Sequence, residues 1–155
     1  MITNIGIHES SAQTVAATLS KLLADEVVLY MKTRNAHWNV TGVDFHAKHK
    51  FFEEQYEALD EIMDSVAERI RSIGHFAPAT LKTYLELTHL TEANRADNNS
   101  VGHIKELLAD HENIIMFIRE NVNPFAELKD FGSSDFITGL METHEKMAWM
   151  LRAHL

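Results

Sequence analysis

The sequence predicts an all-α protein in which four long helices form one bundle and a long connection joins the second of these helices to the third. The chain has 155 residues, 45% of them hydrophobic, which suits one continuous core and a single domain over residues 1–155. Gly and Pro occur only six and two times, and no run of alternating polarity stands out. The few helix breakers are therefore expected to mark the ends of long helices.

The first long helix is expected to begin with Ser10 or Ser11 as N-cap and to end near Trp38, before Gly42. Apolar residues recur on one face of this segment at helical spacing, which predicts the side that packs into the core. These residues are Val15, Leu19, Leu22, Leu23, Val27, Tyr30 and Met31.

The second long helix is expected to run from Asp44, as N-cap, to Ile73. Gly74 suits the position after the helix end, and Pro78 prevents any continuation. Its apolar residues are spaced alternately four and three apart, as in a buried seam. These residues are Phe52, Tyr56, Leu59, Met63, Val66, Ile70 and Ile73.

The rest of the chain predicts a crossover and two more long helices. Residues 81–90 suit a short helix, and one of residues 98–100 can cap a third long helix that ends near Asn121, before Pro124. Ser133 or Ser134 can cap the fourth, which reaches the C-terminus. Four long helices with one extended link predict a ferritin-like four-helix bundle with a short crossover helix between helices two and three.

Composition narrows the classes of function. The formal net charge is -9, from 23 acidic and 14 basic residues, which favours a metal cation over nucleic acid or an anionic membrane surface as partner. Because cysteine is absent, thiolate chemistry is excluded and any metal site must use nitrogen and oxygen ligands. Residues 1–13 lack the pattern of a signal peptide, and no stretch is long and apolar enough to span a membrane. We therefore expect a soluble, cytoplasmic protein.

A polar stripe on the second helix is the first candidate site. His49, Glu53, Asp64 and Glu68 fall within about a quarter turn of one another at 100° per residue. The alternative is a solvated face, since the helix is acidic in general. His37, at the end of the first helix, adds a second imidazole. Two imidazoles and three carboxylates suit Fe(II), Mn(II) or Zn(II), and the carboxylate count favours iron.

The length of the second helix divides these residues into two sets. His49 and Asp64 are fifteen residues apart, or about 22 Å at about 1.5 Å per residue. His37, His49 and Glu53 could form one half-site, and Asp64 and Glu68 another. If two copies of the helix pack antiparallel across a two-fold axis, each half-site meets its complement and two equivalent sites result.

A di-metal centre within one chain is not expected. Such a bundle needs Glu-x-x-His on each of two helices, and none of the four predicted long helices carries it. Glu142 and His144 are only two residues apart, while His111 lies between Asp110 and Glu112. Neither arrangement places a carboxylate and an imidazole on one helical face.

These residues resemble the Dps family, the starvation-induced DNA-protecting miniferritins, over nearly the whole chain. The most specific stretch contains Asn35-Ala36-His37-Trp38-Asn39-Val40, Phe45, His49, Phe52-Glu53-Glu54, Tyr56, Leu59, Asp64, Ala67-Glu68-Arg69-Ile70 and Gly74. A second stretch contains His144-Glu145-Lys146 and Trp149-Met150-Leu151-Arg152-Ala153.

The resemblance implies a hollow shell of twelve identical subunits with ferroxidase centres at the two-fold interfaces. His37, His49 and Glu53 would come from one chain, with Asp64 and Glu68 from the other. Hydrogen peroxide would be the preferred oxidant of Fe(II), and the Fe(III) mineral would be stored in the cavity. Removal of iron and peroxide would protect DNA from oxidative damage.

Two further expectations concern iron entry and DNA. The segment from Asp130 to Asp135 resembles the family's three-fold pore, where carboxylates attract Fe(II). The alternative is ordinary loop acidity at the start of the last helix. Direct DNA binding is not expected, because the first basic residue is Lys21, within a helix, and the chain is acidic.

Two other functions remain open at the level of sequence. One is a ferritin-like di-metal oxidase or peroxide scavenger that stores no mineral. The other is a non-catalytic helical adaptor whose acidic stripe is only a solvated surface. The amount of iron retained per particle distinguishes a storage protein from an oxidase that stores no mineral. Metal content after chelation and reloading distinguishes a metal-binding protein from an adaptor.

Overall fold

The computed structural model describes residues 3–92 and 95–155, so the first two residues of the N-terminal segment that we inspected for a signal peptide lie outside it. The fold is all-α, as predicted. It contains five helices: α1 (Glu9–Asn39), α2 (Phe45–Ser72), α3 (Leu81–Leu87), α4 (Ser100–Glu127) and α5 (Phe131–Arg152). The four long helices are those expected from the sequence, and α3 is the short crossover helix.

The helices pack as two antiparallel pairs, α1 with α2 and α4 with α5, and α1 also contacts α3 and α4. Side chains from all four long helices fill one core. Its largest fully buried members are Phe52, Phe125, Leu19, Leu22, Leu29, Leu59, Ile70, Ile73, Ile104, Ile114, Ile118 and Ile137. The crossover is fastened to α1 by Asp25, whose carboxylate accepts hydrogen bonds from the Thr88 hydroxyl at 2.7 Å and the His89 amide at 2.6 Å.

Both ends of α2 lie where the sequence places them, but Asp44 does not cap the helix as expected. Its side chain makes no cap hydrogen bond and accepts one from the Ser100 hydroxyl at 2.7 Å, which joins the starts of α2 and α4. Gly74 follows the helix with φ +95°, a left-handed conformation that favours glycine. The continuous α2 of 28 residues is about 42 Å long at about 1.5 Å per residue.

Three predicted helix ends are wrong. The first helix begins at Glu9, because the His8 ring accepts from the Ser10 amide and takes the capping role. The third long helix continues through Pro124 to Glu127, and burial of Phe125 at 2% exposure offsets the missing backbone hydrogen bond.

The start of α5 also differs from the expected cap at Ser133 or Ser134. Asp130 caps the helix, accepting hydrogen bonds from the Ser133 amide at 2.9 Å and the Ser133 hydroxyl at 2.6 Å. Both serines are buried inside the first turns of the helix. Along the part of the chain that is described, no helix has the length and hydrophobicity needed to cross a membrane.

Candidate metal centre

His37 and His49 lie against each other at the junction of α1 and α2. Their ring centroids are 3.8 Å apart, with an angle of 21° between the planes. The Nδ1 atom of His37 is 2.8 Å from the backbone carbonyl oxygen of His49, and Nδ1 of His49 is 2.8 Å from the carbonyl oxygen of His37. The end of α1 and the start of α2 are thereby joined by a reciprocal pair of hydrogen bonds.

This pairing decides which ring nitrogens are available to a metal. A carbonyl oxygen only accepts hydrogen bonds, so Nδ1 must carry the hydrogen in both rings. In a neutral imidazole the other nitrogen, Nε2, then keeps its lone pair. A histidine that donates through one nitrogen to a backbone carbonyl while the other remains free is the usual arrangement of a metal-binding imidazole. His37 and His49 therefore each present an oriented Nε2 atom that can coordinate a metal.

Aromatic side chains support the two rings. The edge of Tyr56 meets His37 with ring centroids 5.1 Å apart, and Phe45 lies 5.3 Å from His49. His37 is buried and His49 is half-buried. The rings are thus confined between the core and the surface.

Glu53 lies one helical turn after His49 and adds a carboxylate to this half-site. The Lys50 ammonium donates to Glu53 Oε2 at 2.5 Å. This hydrogen bond is the main cause that lowers the pKa of Glu53, and the positive charge that His37 and His49 carry when protonated acts in the same direction. The carboxylate is therefore ionised at neutral pH. A cation that binds there must share Glu53 with Lys50 or displace it.

Asp64 and Glu68 lie farther along α2, and the structure does not bring them to the histidines. Both side chains are exposed and stand one turn apart on the same face of the helix. Because α2 is continuous, Asp64 remains about 22 Å from His49 along the helix axis. Within residues 3–92 and 95–155, no group of three or more His, Asp or Glu side chains is placed to hold a metal ion. Within one chain, the two sets of candidate ligands thus remain apart.

An open groove of about 570 Å³ lies on the outer face of α1 and α2, and Asp64 forms part of its lining. Its lining combines apolar side chains with carboxylates from α2: Leu23, Val27, Tyr30, Met31, Asp60, Glu61, Met63, Asp64, Ala67, Leu81 and Tyr84. Val27, Tyr30 and Met31 belong to the predicted inner face of α1, but the bundle leaves them partly uncovered, and Met31 is 47% exposed. The apolar face of α1 is therefore wider than the bundle core requires.

Beside this groove, Arg34 lies against aromatic rings. Its Nε donates to the Tyr30 hydroxyl at 2.9 Å, and its guanidinium carbon lies 3.9 Å from the Tyr56 ring centroid. Trp38 is 60% exposed, with its ring 5.8 Å from the same guanidinium. The guanidinium thus lies within an aromatic cluster, of which Trp38 is the exposed member, next to the imidazole pair.

The two candidate pore residues lie in different environments. Asp130 is 1% exposed, and besides capping α5 it accepts a hydrogen bond from Arg69 Nη2 at 2.9 Å. Its carboxylate is thus committed to holding α2 and α5 together, which is the alternative that the sequence left open. Asp135 is exposed, and its carboxylate faces solvent. Of the two, only Asp135 remains available to a pore.

Replacing Asp130 by Ala is expected to lower the free energy of unfolding by about 2 kcal/mol, because the helix loses its cap and Arg69 loses its partner. Urea denaturation at fixed subunit concentration measures this change. Asp135→Ala is the control and should change the free energy by less than about 0.5 kcal/mol. Equal losses in the two variants would contradict the capping role of Asp130.

Sequence reasoning missed a second group of titratable residues. Glu26, His111 and His144 meet inside the bundle, although the spacing of His111 and His144 from other acids gave no reason to join them. One signal was present: Asp25 and Glu26 interrupt an otherwise apolar stretch of α1 and must therefore be buried. Paired acids inside an apolar run indicate polar partners on neighbouring helices.

Known proteins share this fold and are similar in sequence along most of the chain. Residues 16–155 match the ferritin-like domain family. The chain is 39% identical over 153 residues to an uncharacterized low temperature-induced protein of Nostoc sp., covering 98% of this chain and 86% of the relative. It is 36% identical over 137 residues to the DNA protection during starvation protein of Helicobacter pylori, covering 88% of this chain and 95% of the relative.

A solved structure agrees with these relatives. The crystal structure of the DPS protein of Vibrio cholerae is described as a member of a broad superfamily of ferritin-like diiron-carboxylate proteins. It superposes with a TM-score of 0.92 at 30% sequence identity, covering 99% of this chain and 96% of that chain.

The bundle, its short crossover helix and the match over residues 16–155 define the class as ferritin-like proteins. Within this class, the similarity to the H. pylori and V. cholerae proteins extends over most of the chain. The chain belongs to the Dps family. The resemblance inferred from the sequence motifs is thereby confirmed.

Proposed function

We propose that this protein is a ferroxidase and iron-storage protein that oxidises Fe(II), preferably with hydrogen peroxide, at sites shared by two copies of the chain. The reciprocal bonding of His37 and His49 carries the proposal, because it leaves two oriented Nε2 donors beside the ionised Glu53 carboxylate. Such nitrogen and oxygen donors suit Fe(II), with Zn(II) or Mn(II) as substitutes.

The spacing of residues on α2 supports a shared site. Glu53 follows His49 by four residues, and Glu68 follows Asp64 by four residues. In an antiparallel pair of α2 helices, the register that places His49 opposite Glu68 of the partner subunit therefore also places Glu53 opposite the partner's Asp64. One two-fold axis, crossing α2 between residues 58 and 59, completes two equivalent sites. His37, His49 and Glu53 meet the partner's acid pair in each.

The groove that Asp64 lines supports a second copy of the chain as the occupant. Its α2 residues begin at Asp60, next to the point that the axis would cross, and its partly exposed apolar side chains include Met31 and Met63. Pairing would remove this apolar surface from water, which is the main driving force of stable association. The same contact brings the two acid residues to the two imidazoles.

The donors determine how the iron substrate reacts. Hard carboxylate oxygens stabilise Fe(III) relative to Fe(II), which favours oxidation while the ion is bound. Two Fe(II) ions give one electron each to one peroxide molecule, which takes up two protons and leaves as two water molecules. Because both electrons are accepted in one event, no hydroxyl radical is released. Asp64 and Glu68 provide the additional negative charge that the product ions require.

Storage and protection follow from the family. A shell of twelve subunits would enclose the Fe(III) mineral, and Asp135 is the remaining candidate for attracting Fe(II) at an entrance. A net charge of -9 per chain opposes direct binding to DNA. DNA protection would therefore be chemical, through removal of iron and peroxide, in a protein that forms a single domain and acts in the cytoplasm.

Peroxide-driven oxidation of Fe(II) tests the site directly. His37→Ala and Glu68→Ala are each expected to lower the initial rate by more than about tenfold, because losing even an outer partner of a metal ligand costs about 10- to 100-fold. The measurement is an anaerobic Fe(II) titration followed by peroxide addition, monitored by the absorbance of Fe(III). Size-exclusion chromatography then shows whether the iron remains with the assembled particle.

Glu54→Ala is the matched control. Glu54 is an exposed carboxylate on α2, directly after the ligand candidate Glu53 in the chain. The variant removes the same charge as Glu68→Ala and is expected to keep the wild-type rate. Wild-type rates in both His37→Ala and Glu68→Ala would overturn the assignment.

A further inference from the structure

Glu26, His144 and His111 form a hydrogen-bonded chain across three helices, which we call the core triad. Nε2 of His144 on α5 is 2.9 Å from Oε1 of Glu26 on α1, and its Nδ1 is 2.9 Å from Nδ1 of His111 on α4. Their exposed fractions are 0% for Glu26 and His144 and 1% for His111. Glu26 precedes His37 by eleven residues of α1, about 16 Å along the helix, so the core triad is separate from the candidate metal centre.

The geometry limits how many protons the core triad can hold. An ionised carboxylate only accepts, so His144 donates to Glu26 through Nε2. A single hydrogen fits between the two Nδ1 atoms, and either imidazole can supply it. With neutral His144, His111 donates; with cationic His144, His144 donates and His111 accepts. Both states keep both hydrogen bonds.

A further proton breaks this arrangement. If both imidazoles are cationic, each Nδ1 carries a hydrogen, and two donors face each other at the distance of a hydrogen bond. Two positive charges then stand in a desolvated core beside one carboxylate. Burial and the charge of His144 already hold the pKa of His111 well below its ordinary value. The native bundle therefore resists the proton that an unfolded chain would bind.

Among the residues that the structure describes, neighbouring elements offer this second cation no counter-charge. The buried acids Asp25 and Asp110 are held by other partners, namely the crossover segment and Lys32 at 2.6 Å. Oε2 of Glu26 has no hydrogen-bond partner among the described residues, so no donor group supports that carboxylate further. The helix α2 contributes only uncharged side chains to the core: Phe52, Gln55, Tyr56, Leu59, Ile62, Val66 and Ile70.

We propose that the core triad is an acid-sensitive lock that joins α1, α4 and α5 at neutral pH and releases them when His111 and His144 are both protonated. The lock would make the subunit open in acid through groups other than the candidate metal ligands. An acidic environment would thus loosen the bundle from its centre.

The direction of the pH effect follows from proton binding. His111 has a lower pKa in the folded chain than in the unfolded chain, where an imidazole titrates near about 6.5. Below that value the unfolded state binds more protons, so the stabilisation is complete above about pH 6.5 and is lost progressively as the pH falls toward the folded pKa.

Urea denaturation of the iron-free, assembled protein at about pH 7.5 and about pH 5.5 tests the lock. The urea concentration at the midpoint of wild-type denaturation is expected to be much lower at the lower pH. His111→Asn, which can still hydrogen-bond to His144 but does not titrate, should at least halve that loss. The matched control is His103→Asn, another buried histidine on α4, which should retain most of the loss.

A second measurement keeps the test independent of variant folding. In wild type, NMR should show a strongly deshielded exchangeable proton between the two imidazoles at neutral pH, and this signal should disappear in acid before the bundle unfolds. If the denaturation midpoint of His111→Asn falls in acid as much as that of wild type, the proposal is overturned. Absence of the deshielded proton in wild type would overturn it as well. Because no iron is present, neither outcome bears on the proposed ferroxidase function.

Discussion

Two inactive variants, assembled together, are expected to regain about a quarter of the wild-type rate of iron oxidation. His49→Ala removes the histidine half of every site, and Glu68→Ala removes the acid half, so each pure assembly is inactive. In a mixed two-fold pair, one site combines both losses while the other is complete. Random mixing makes half of the pairs mixed, and half of their sites are intact.

The design separates shared sites from sites within one chain. Subunits of the two variants are unfolded, mixed in equal amounts, refolded together and assayed with Fe(II) and peroxide. Mixing His37→Ala with His49→Ala is the control, because both changes affect the same half-site and no complete site forms. If the His49→Ala and Glu68→Ala mixture stays as inactive as its components, each chain must complete its own site, and the proposed two-fold arrangement fails.

The largest stability effect is expected from the core triad. His144→Leu leaves the buried Glu26 carboxylate without its partner, and removing one member of a buried ion pair costs about 3–5 kcal/mol. The loss appears in the free energy of unfolding from urea denaturation near neutral pH, at one subunit concentration for all variants.

A double variant provides the comparison. Glu26→Leu combined with His144→Leu removes both polar groups and fills the space with apolar side chains, which is often neutral or stabilising relative to a buried pair. We expect it to recover more than half of the stability lost in His144→Leu. A double variant that is no more stable than the single one would show that packing or the unpaired His111 imidazole, and not the unpaired carboxylate, causes the loss.

The sequence predicted the long helices because their signals are local. The periodic apolar residues of α2, Gly74 and Pro78 each constrain the backbone within a few residues, and the structure places the end of α2 where they indicate. Two of the three errors in the helix ends occurred where distant contacts contribute. Packing of Phe125 carries α4 past Pro124, and the contact of Asp130 with Arg69 moves the start of α5.

The candidate site was predictable to the extent that it depends on helical spacing. His49, Glu53, Asp64 and Glu68 share one face of one helix, so geometry alone separates them into two halves. The reciprocal hydrogen bonds between His37 and His49 require knowledge of how α1 meets α2, which no local pattern contains. The core triad was missed for the same reason, since its three members come from three helices.

The unbroken length of α2 has a consequence for when chemistry begins. Under the proposed function, a newly made monomer holds imidazoles and acids too far apart to act on the same ion, so it can do no ferric chemistry alone. Iron oxidation starts only after subunits associate, when the shell that encloses the product is forming. Iron that bridges two chains would in turn favour their association, because it binds only the paired form. Subunit assembly and iron deposition would thus promote each other.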